Sequence, residues 1–208
     1  ELAKLPKEEQ MKAFDAAFTG VMKEAAVKNI HMPVGVHFLK ESRHFMTVEE
    51  LDTLLSKIPE ALASDPAIVR MKEQVEKKKR CAVGQLFVDF TMQNMEGNAV
   101  KLSDYVGKGK VLLVDFWASW CGPCCRAIPG LIELYNRYKE KGFEVVGVSL
   151  DQDAEAWKKA VERLEIPWIQ MSDLKGWKSE AAKAYAVTTI PSTVLIDAEG
   201  KIYGHNIH

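Results

Sequence analysis

Two hydrophobic rhythms run along the chain, and they meet near residue 81. Upstream, apolar residues such as Met11, Phe14, Ala17, Phe18, Val21 and Met22 recur at intervals of three and four, among many Lys, Glu, Ala, Met and Leu. That spacing predicts amphipathic helices between Lys4 and Arg80. Thr47-Val-Glu-Glu50 has the form of a capping box, and Asp65-Pro66 that of an N-cap followed by proline in the first turn, so further helices are predicted to start there. The stretch His31 to Lys40, with Pro33 and Gly35, reads as a connection or a short irregular piece. The stripe of Met11, Phe14, Phe18 and Met22 reads as helix packing, with a groove for a partner as the alternative.

Downstream the rhythm changes to β-branched and apolar runs separated by helical stretches. Strands are predicted at Leu86 to Thr91, Val111 to Ala118, Phe143 to Leu150, Trp168 to Met171, Thr193 to Asp197 and Lys201 to His205. Helices are predicted at Pro123 to Lys141, Asp153 to Leu164 and Trp177 to Tyr185. Such alternation gives an α/β sheet with helices on both faces, parallel strands joined by crossovers, and an antiparallel hairpin at Asp197-Ala-Glu-Gly-Lys201. Active sites in such sheets favour the carboxyl ends of the strands. The sequence Trp120-Cys-Gly-Pro-Cys124 stands there, between the run Val111 to Ala118 and a helical pattern.

A Cys-x-x-Cys pair where a strand ends and a helix begins is a redox dithiol in its most reactive setting. Unsatisfied N–H groups and the helix dipole stabilise a thiolate at the first cysteine. Cys121 is the expected nucleophile, and Cys124, one helical turn on, the expected resolving thiol. Pro123 restrains the first helical turn, Gly122 lets a substrate backbone approach, and Trp120 walls the site. Cys125 is also within reach of Cys121 by spacing, so spacing does not settle which of the two bonds to it. Asp115, six residues before Cys121 on a central strand, is expected to be buried beneath the dithiol, with a raised pKa suited to proton transfer; a hydrogen-bonded strand carboxylate without a kinetic role is the alternative.

Composition narrows the field. The 208 residues are 47% apolar and 27% charged with a net charge of −1, which suits a globular protein and points to no polyanionic partner. Four cysteines, three of them within five residues, suggest chemistry more than stapling. No run of 18 apolar residues is present, so no membrane span is expected. His31, His37, His44, His205 and His208 show no metal-ligand spacing, and no metal or cofactor is expected. Lys77 to Arg80 ends a helical pattern, where cations suit the dipole, and is not read as a nucleic-acid site. Cys81, beside that basic run, reads as a free thiol, with a second redox centre of lowered pKa as the minor alternative. The chain starts at Glu1 without a leader pattern, so a removed targeting segment or an excised piece is expected.

Val114-Asp-Phe-Trp-Ala-Ser-Trp-Cys-Gly-Pro-Cys124 together with Thr189-Ile-Pro191 resembles the thioredoxin superfamily. The leader Val83-Gly-Gln-Leu-Phe-Val-Asp-Phe90, the segment Val100 to Lys110, the insertion after Gly147-Val-Ser-Leu-Asp151 and the run Trp168 to Trp177 are similar to TlpA/ResA-like thiol-disulfide oxidoreductases. That group is often placed with AhpC/TSA proteins and includes envelope proteins of Bacteroides-type bacteria. The resemblance covers about residues 83 to 208. It implies a thioredoxin-like domain over 83–208, a mixed β-sheet flanked by helices, behind an α-helical region over 1–82. Thioredoxin folds usually close with one more helix, and because the sequence stops at His208 just after the predicted last strand, this domain is expected to lack it.

The resemblance also implies a Cys121–Cys124 redox disulfide, with Cys125 a buried apolar-like residue, and a proton-transfer role for Asp115. It implies a cis bond before Pro191, which leaves the backbone of Ile190 open to pair with an extended substrate. The implied activity is reduction or exchange of protein disulfides in the periplasm or cell envelope. An upstream dithiol donor in the membrane, and anchoring through a missing N-terminus, go with it. Ala127 departs from the glutamate many relatives carry three residues past the second cysteine, so the acidic pocket of cytochrome-maturation members is not carried over. A thiol peroxidase is the alternative activity, but its P-x-x-x-T-x-x-C pattern needs proline at Val114 and threonine at Ala118. A non-enzymatic partner-binding module is the other alternative, and the intact cysteine pair speaks against it.

Overall fold

A computed structural model describes residues 6–206; the ends of the predicted segments at Lys4 and the candidate His208 lie outside them. The chain divides into two compact units, Glu1–Glu76 and Lys77–His208.

The first unit is helical: α1 (Lys7–Asn29), α2 (Pro33–Ser42), α3 (Val48–Ser56), α4 (Glu60–Ala63) and α5 (Pro66–Arg80), whose last turn runs into the second unit. The capping box at Thr47 forms, with reciprocal bonds between Thr47 and Glu50, and Asp65 accepts from the N–H of Ala67 at the head of α5. The core gathers Leu39, Leu55, Ile68, Met71 and Val75. Two expectations are corrected here. The stretch read as a connection contains a helix, because Pro33 sits at its first turn, where no N–H is needed, and Gly35 lets the helix press on the backbone of Asn29 at the end of α1. The stripe on α1 does not pack: Met11, Phe14 and Phe18 are exposed, and burial is confined to Ala26 and, beyond the helix, Ile30. Phe14 and Phe18 stack on each other at 6.2 Å.

The second unit is a seven-stranded mixed sheet. Its strands are β1 (Thr91–Asn94), β2 (Ala99–Lys101), β3 (Val111–Trp117), β4 (Phe143–Ser149), β5 (Ile169–Ser172), β6 (Ser192–Ile196) and β7 (Ile202–His205). They lie in the order β2-β1-β5-β4-β3-β6-β7, with β3, β4 and β5 parallel and the remaining pairs antiparallel. Helices α6 (Gly122–Tyr138), α7 (Ala154–Arg163) and α8 (Glu180–Ala184) cover it. Strict alternation sorts the side chains. Leu112, Val114 and Phe116 of β3 face a cluster with Ala181 and Tyr185, while Leu113 and Trp117 face Cys121, Cys124, Ile128 and Trp157 beneath α6 and α7.

The strand predicted over Leu86 to Thr91 begins only at Thr91. Leu86 makes a single bridge to Lys201, and the N–H and carbonyl of Val88 are both bonded by the Tyr185 hydroxyl, so a side chain takes the place of a neighbouring strand. The β1–β2 hairpin was not anticipated. Its turn is built by Asn94, whose Oδ1 accepts from the N–H groups of Glu96 and Asn98.

Candidate active site

The site is built where β3 leaves the middle of the sheet. A seven-residue apolar strand carries the chain to Trp117, the Cys121 N–H closes a turn on the Ala118 carbonyl, and Cys121 becomes the N-cap of α6. Its Sγ accepts the Cys124 N–H at 3.2 Å, so one otherwise unpaired amide of the first turn points at the Cys121 sulfur. Cys121 and Cys124 are joined by a disulfide with Cα atoms 5.2 Å apart, and both are buried. Gly122 and Pro123 between them are exposed. Pro129 inside α6 cannot donate to the Cys125 carbonyl, as its ring replaces the N–H.

Cys125 turns away from the disulfide, with its Sγ 3.6 Å from the Ser119 carbonyl and 3.9 Å from that of Ala118, and it is half-buried. Trp120 is 57% exposed, and its ring leans toward that of Trp177, itself 49% exposed, at 6.4 Å. Ile190–Pro191 is the cis peptide bond, immediately before β6. Ser192 pairs with Phe116, which sets Pro191 beside Trp117 at the carboxyl end of β3, and Ile190 packs against the cluster that holds the two cysteines.

Asp115 lies on that same face, with Leu113 and Trp117 on either side of it along β3. It is 6% exposed, and burial alone pushes its carboxyl from the ordinary 3.8 up to about 7.

A residue missed from the sequence, Asp151, holds the approach to the dithiol. It is buried at the end of β4 and accepts from the Ser119 N–H at 2.9 Å, the Ser119 hydroxyl at 2.6 Å and the Ser149 hydroxyl at 2.7 Å. The loop between β3 and Cys121 is thereby tied to the neighbouring strand. The signal was a carboxylate at the end of an apolar strand, in register with the active-site loop. Cys81 is a free thiol, as read, and only its minor alternative is corrected: burial raises its thiol pKa despite Lys78, and its Sγ donates to the Lys77 carbonyl at 3.2 Å, so the basic run does not activate it. Among the described residues no group of three or more His, Cys, Asp or Glu side chains is placed to hold a metal ion.

A match to the AhpC/TSA family spans residues 83–205, more than half of the chain. The chain belongs to that family. Within it, this AhpC/TSA protein is a TlpA/ResA-like thiol-disulfide oxidoreductase of the thioredoxin superfamily. It is 33% identical to the thiol-disulfide oxidoreductase ResA of Bacillus thuringiensis over 126 residues, covering 61% of this chain and 70% of the relative. The thioredoxin domain of a thiol-disulfide oxidoreductase from Bacteroides vulgatus is 37% identical, with a TM-score of 0.56 over 61% of this chain and 89% of that one. A thiol:disulfide interchange protein DsbE from Chlorobium tepidum is 35% identical, with a TM-score of 0.55 over 61% and 85% of the two chains. The family match falls on the sheet unit of this AhpC/TSA protein.

Proposed function

We propose that this oxidoreductase reduces or exchanges disulfides of protein substrates in the bacterial envelope through the Cys121/Cys124 couple. The carrying observation is that the two sulfurs are in bonding distance at a helix N-terminus, with an amide aimed at the first of them. The Cys121 thiolate attacks one sulfur of a substrate disulfide, and the other leaves as a thiolate that takes up a proton. Cys124 loses its proton to the Asp115 carboxylate and attacks the mixed disulfide at the Cys121 sulfur. The second substrate thiol is released, and two electrons have passed from the enzyme. A carboxyl with a pKa of about 7 exists in both protonation states near neutral pH, which fits it to that transfer.

The substrate segment lies over the exposed Gly122 and Pro123, against Trp120, and pairs with the backbone of Ile190 ahead of Pro191. Return of the oxidised enzyme to the dithiol needs an upstream donor, for which a dithiol carried by a membrane protein is the natural class in the envelope. No helix among the described residues is long and apolar enough to cross a membrane. The chemistry belongs to the domain over 83–208, and the helices from Lys7 to Arg80 form the region ahead of it.

Incubation of the reduced protein with insulin, a protein whose disulfides report electron transfer by thiol release, tests the reading. Substrate thiols are expected at two per enzyme in a single turnover, with hydrogen peroxide consumed orders of magnitude more slowly. Faster reaction with peroxide than with insulin would assign a peroxidase instead.

A further inference from the structure

Gln170, on β5, is 2% exposed, on the sheet face that carries Cys124 and Asp115. Parallel and antiparallel pairing set four residues in one row across that face: Gln170 beside Gly147, Gly147 beside Asp115, and Asp115 beside Thr193. Gly147 has no side chain, and the Gln170 amide occupies the space that a Cβ there would take. The amide therefore stands over β4, one strand spacing of about 4.8 Å from the Asp115 column, a gap that an aspartate side chain or a single water closes.

The orientation of the amide is determined. Its Oε1 accepts from the Trp117 indole N–H at 2.9 Å, and the flipped orientation would set two donors against each other. The Nε2 group is buried and without a partner, as is Thr193 Oγ1 on the far side of Asp115. A buried amide N–H left unpaired is costly, and the acceptor in its row is the Asp115 carboxylate. We propose that Gln170 is a positioning residue that sets the proton affinity of Asp115, by donating its free N–H across Gly147 to the ionised carboxylate. Resting on the reading of Asp115 as the proton carrier, this adds a residue that tunes it.

The physical effect has a definite sign. Burial raises the affinity of Asp115 for its proton, and an N–H donor opposes this, because it bonds a carboxylate more strongly than a carboxylic acid. The elements packed on Asp115 offer few other influences. Gly147 on β4, Thr193 on β6 and Ile128 on α6 do not titrate, and no charged side chain contributes to the shift of Asp115. The ionisable side chains in or against the cluster on that face are Cys121, Cys124, Cys125 and Tyr135.

The test is the carboxyl titration of Asp115 in the reduced full chain, followed by its carbon-13 resonance and assigned by its loss in Asp115→Asn. Gln170→Met keeps the volume and removes the donor, and the midpoint is expected to rise by about one pH unit. Gln170→Glu keeps the volume and the acceptor for Trp117; two carboxyls within reach are expected to share a proton and titrate in two coupled steps. A Gln170 that served only to bond Trp117, out of reach of Asp115, would leave the midpoint unmoved in both variants, and that result overturns the proposal. The resonance reads the carboxyl itself, so the outcome is separate from whether Asp115 moves the proton in exchange, which the resolving rate of Asp115→Asn decides.

Discussion

Replacing Cys124 by serine is expected to turn the enzyme into a trap. Cys121 keeps its place as the N-cap of α6 and its attack on substrate disulfides, but the mixed disulfide has no thiol one turn on to break it. Disulfide turnover should fall by about 100-fold or more, while covalent complexes through Cys121 accumulate and disappear on adding dithiothreitol. Non-reducing electrophoresis and peptide mass mapping read both. The neighbouring Cys125 sharpens the experiment: its sulfur faces the Ala118 and Ser119 carbonyls, away from the disulfide, so it should not substitute for Cys124. Complexes that persist in Cys124→Ser as well as in Cys124→Ser/Cys125→Ser fit this account. Complexes seen only in the double variant would make Cys125 a resolving thiol.

Asp115→Asn carries the second large effect, and it has two faces. The folded carboxyl binds its proton more tightly than the unfolded one, about 7 against 3.8. The native state therefore gains most from this group below pH 3.8 and loses that gain as pH rises to about 7. The full swing is about 4 kcal/mol. Asparagine removes the swing, and above pH 7 it should stabilise the protein by about 2 to 4 kcal/mol, read by urea unfolding across pH. Activity should move the opposite way, with the resolving step slowed by about 10- to 100-fold at neutral pH for lack of a proton acceptor. A variant that is more stable and also fully active would leave Asp115 as a strand carboxylate with no kinetic part.

What could be read in the sequence was whatever a local pattern sets. The apolar run before Trp120 reads as a buried strand and the helical spacing after Pro123 as a helix, so β3, Cys121 and α6 followed from the chain itself. The burial of Asp115 was legible because it stands inside the apolar run of a central strand. The helix over Pro33–Ser42 was misread because proline and glycine signal a break unless the first is at a helix start and the second at a close approach, and only the packing on Asn29 decides that.

Asp151 and Gln170 were illegible for a different reason: their partners lie 32 and 53 residues away, across strand pairings that no local rhythm encodes. One cue was present. Gly147 interrupts an otherwise β-branched run, and a glycine inside a strand marks the close approach of something else, here the Gln170 amide. The apolar stripe on α1 shows the converse, since periodicity gave the helix and its apolar face but not burial.

The most direct test of the whole account is the reduction potential of the Cys121/Cys124 couple, measured by equilibrating the protein in dithiothreitol buffers and counting free thiols. The account predicts a single two-electron transition near or below about −250 mV, the range of a reductant fed by an upstream donor. A transition above about −150 mV, or no disulfide forming between these residues under oxidising conditions, would contradict it.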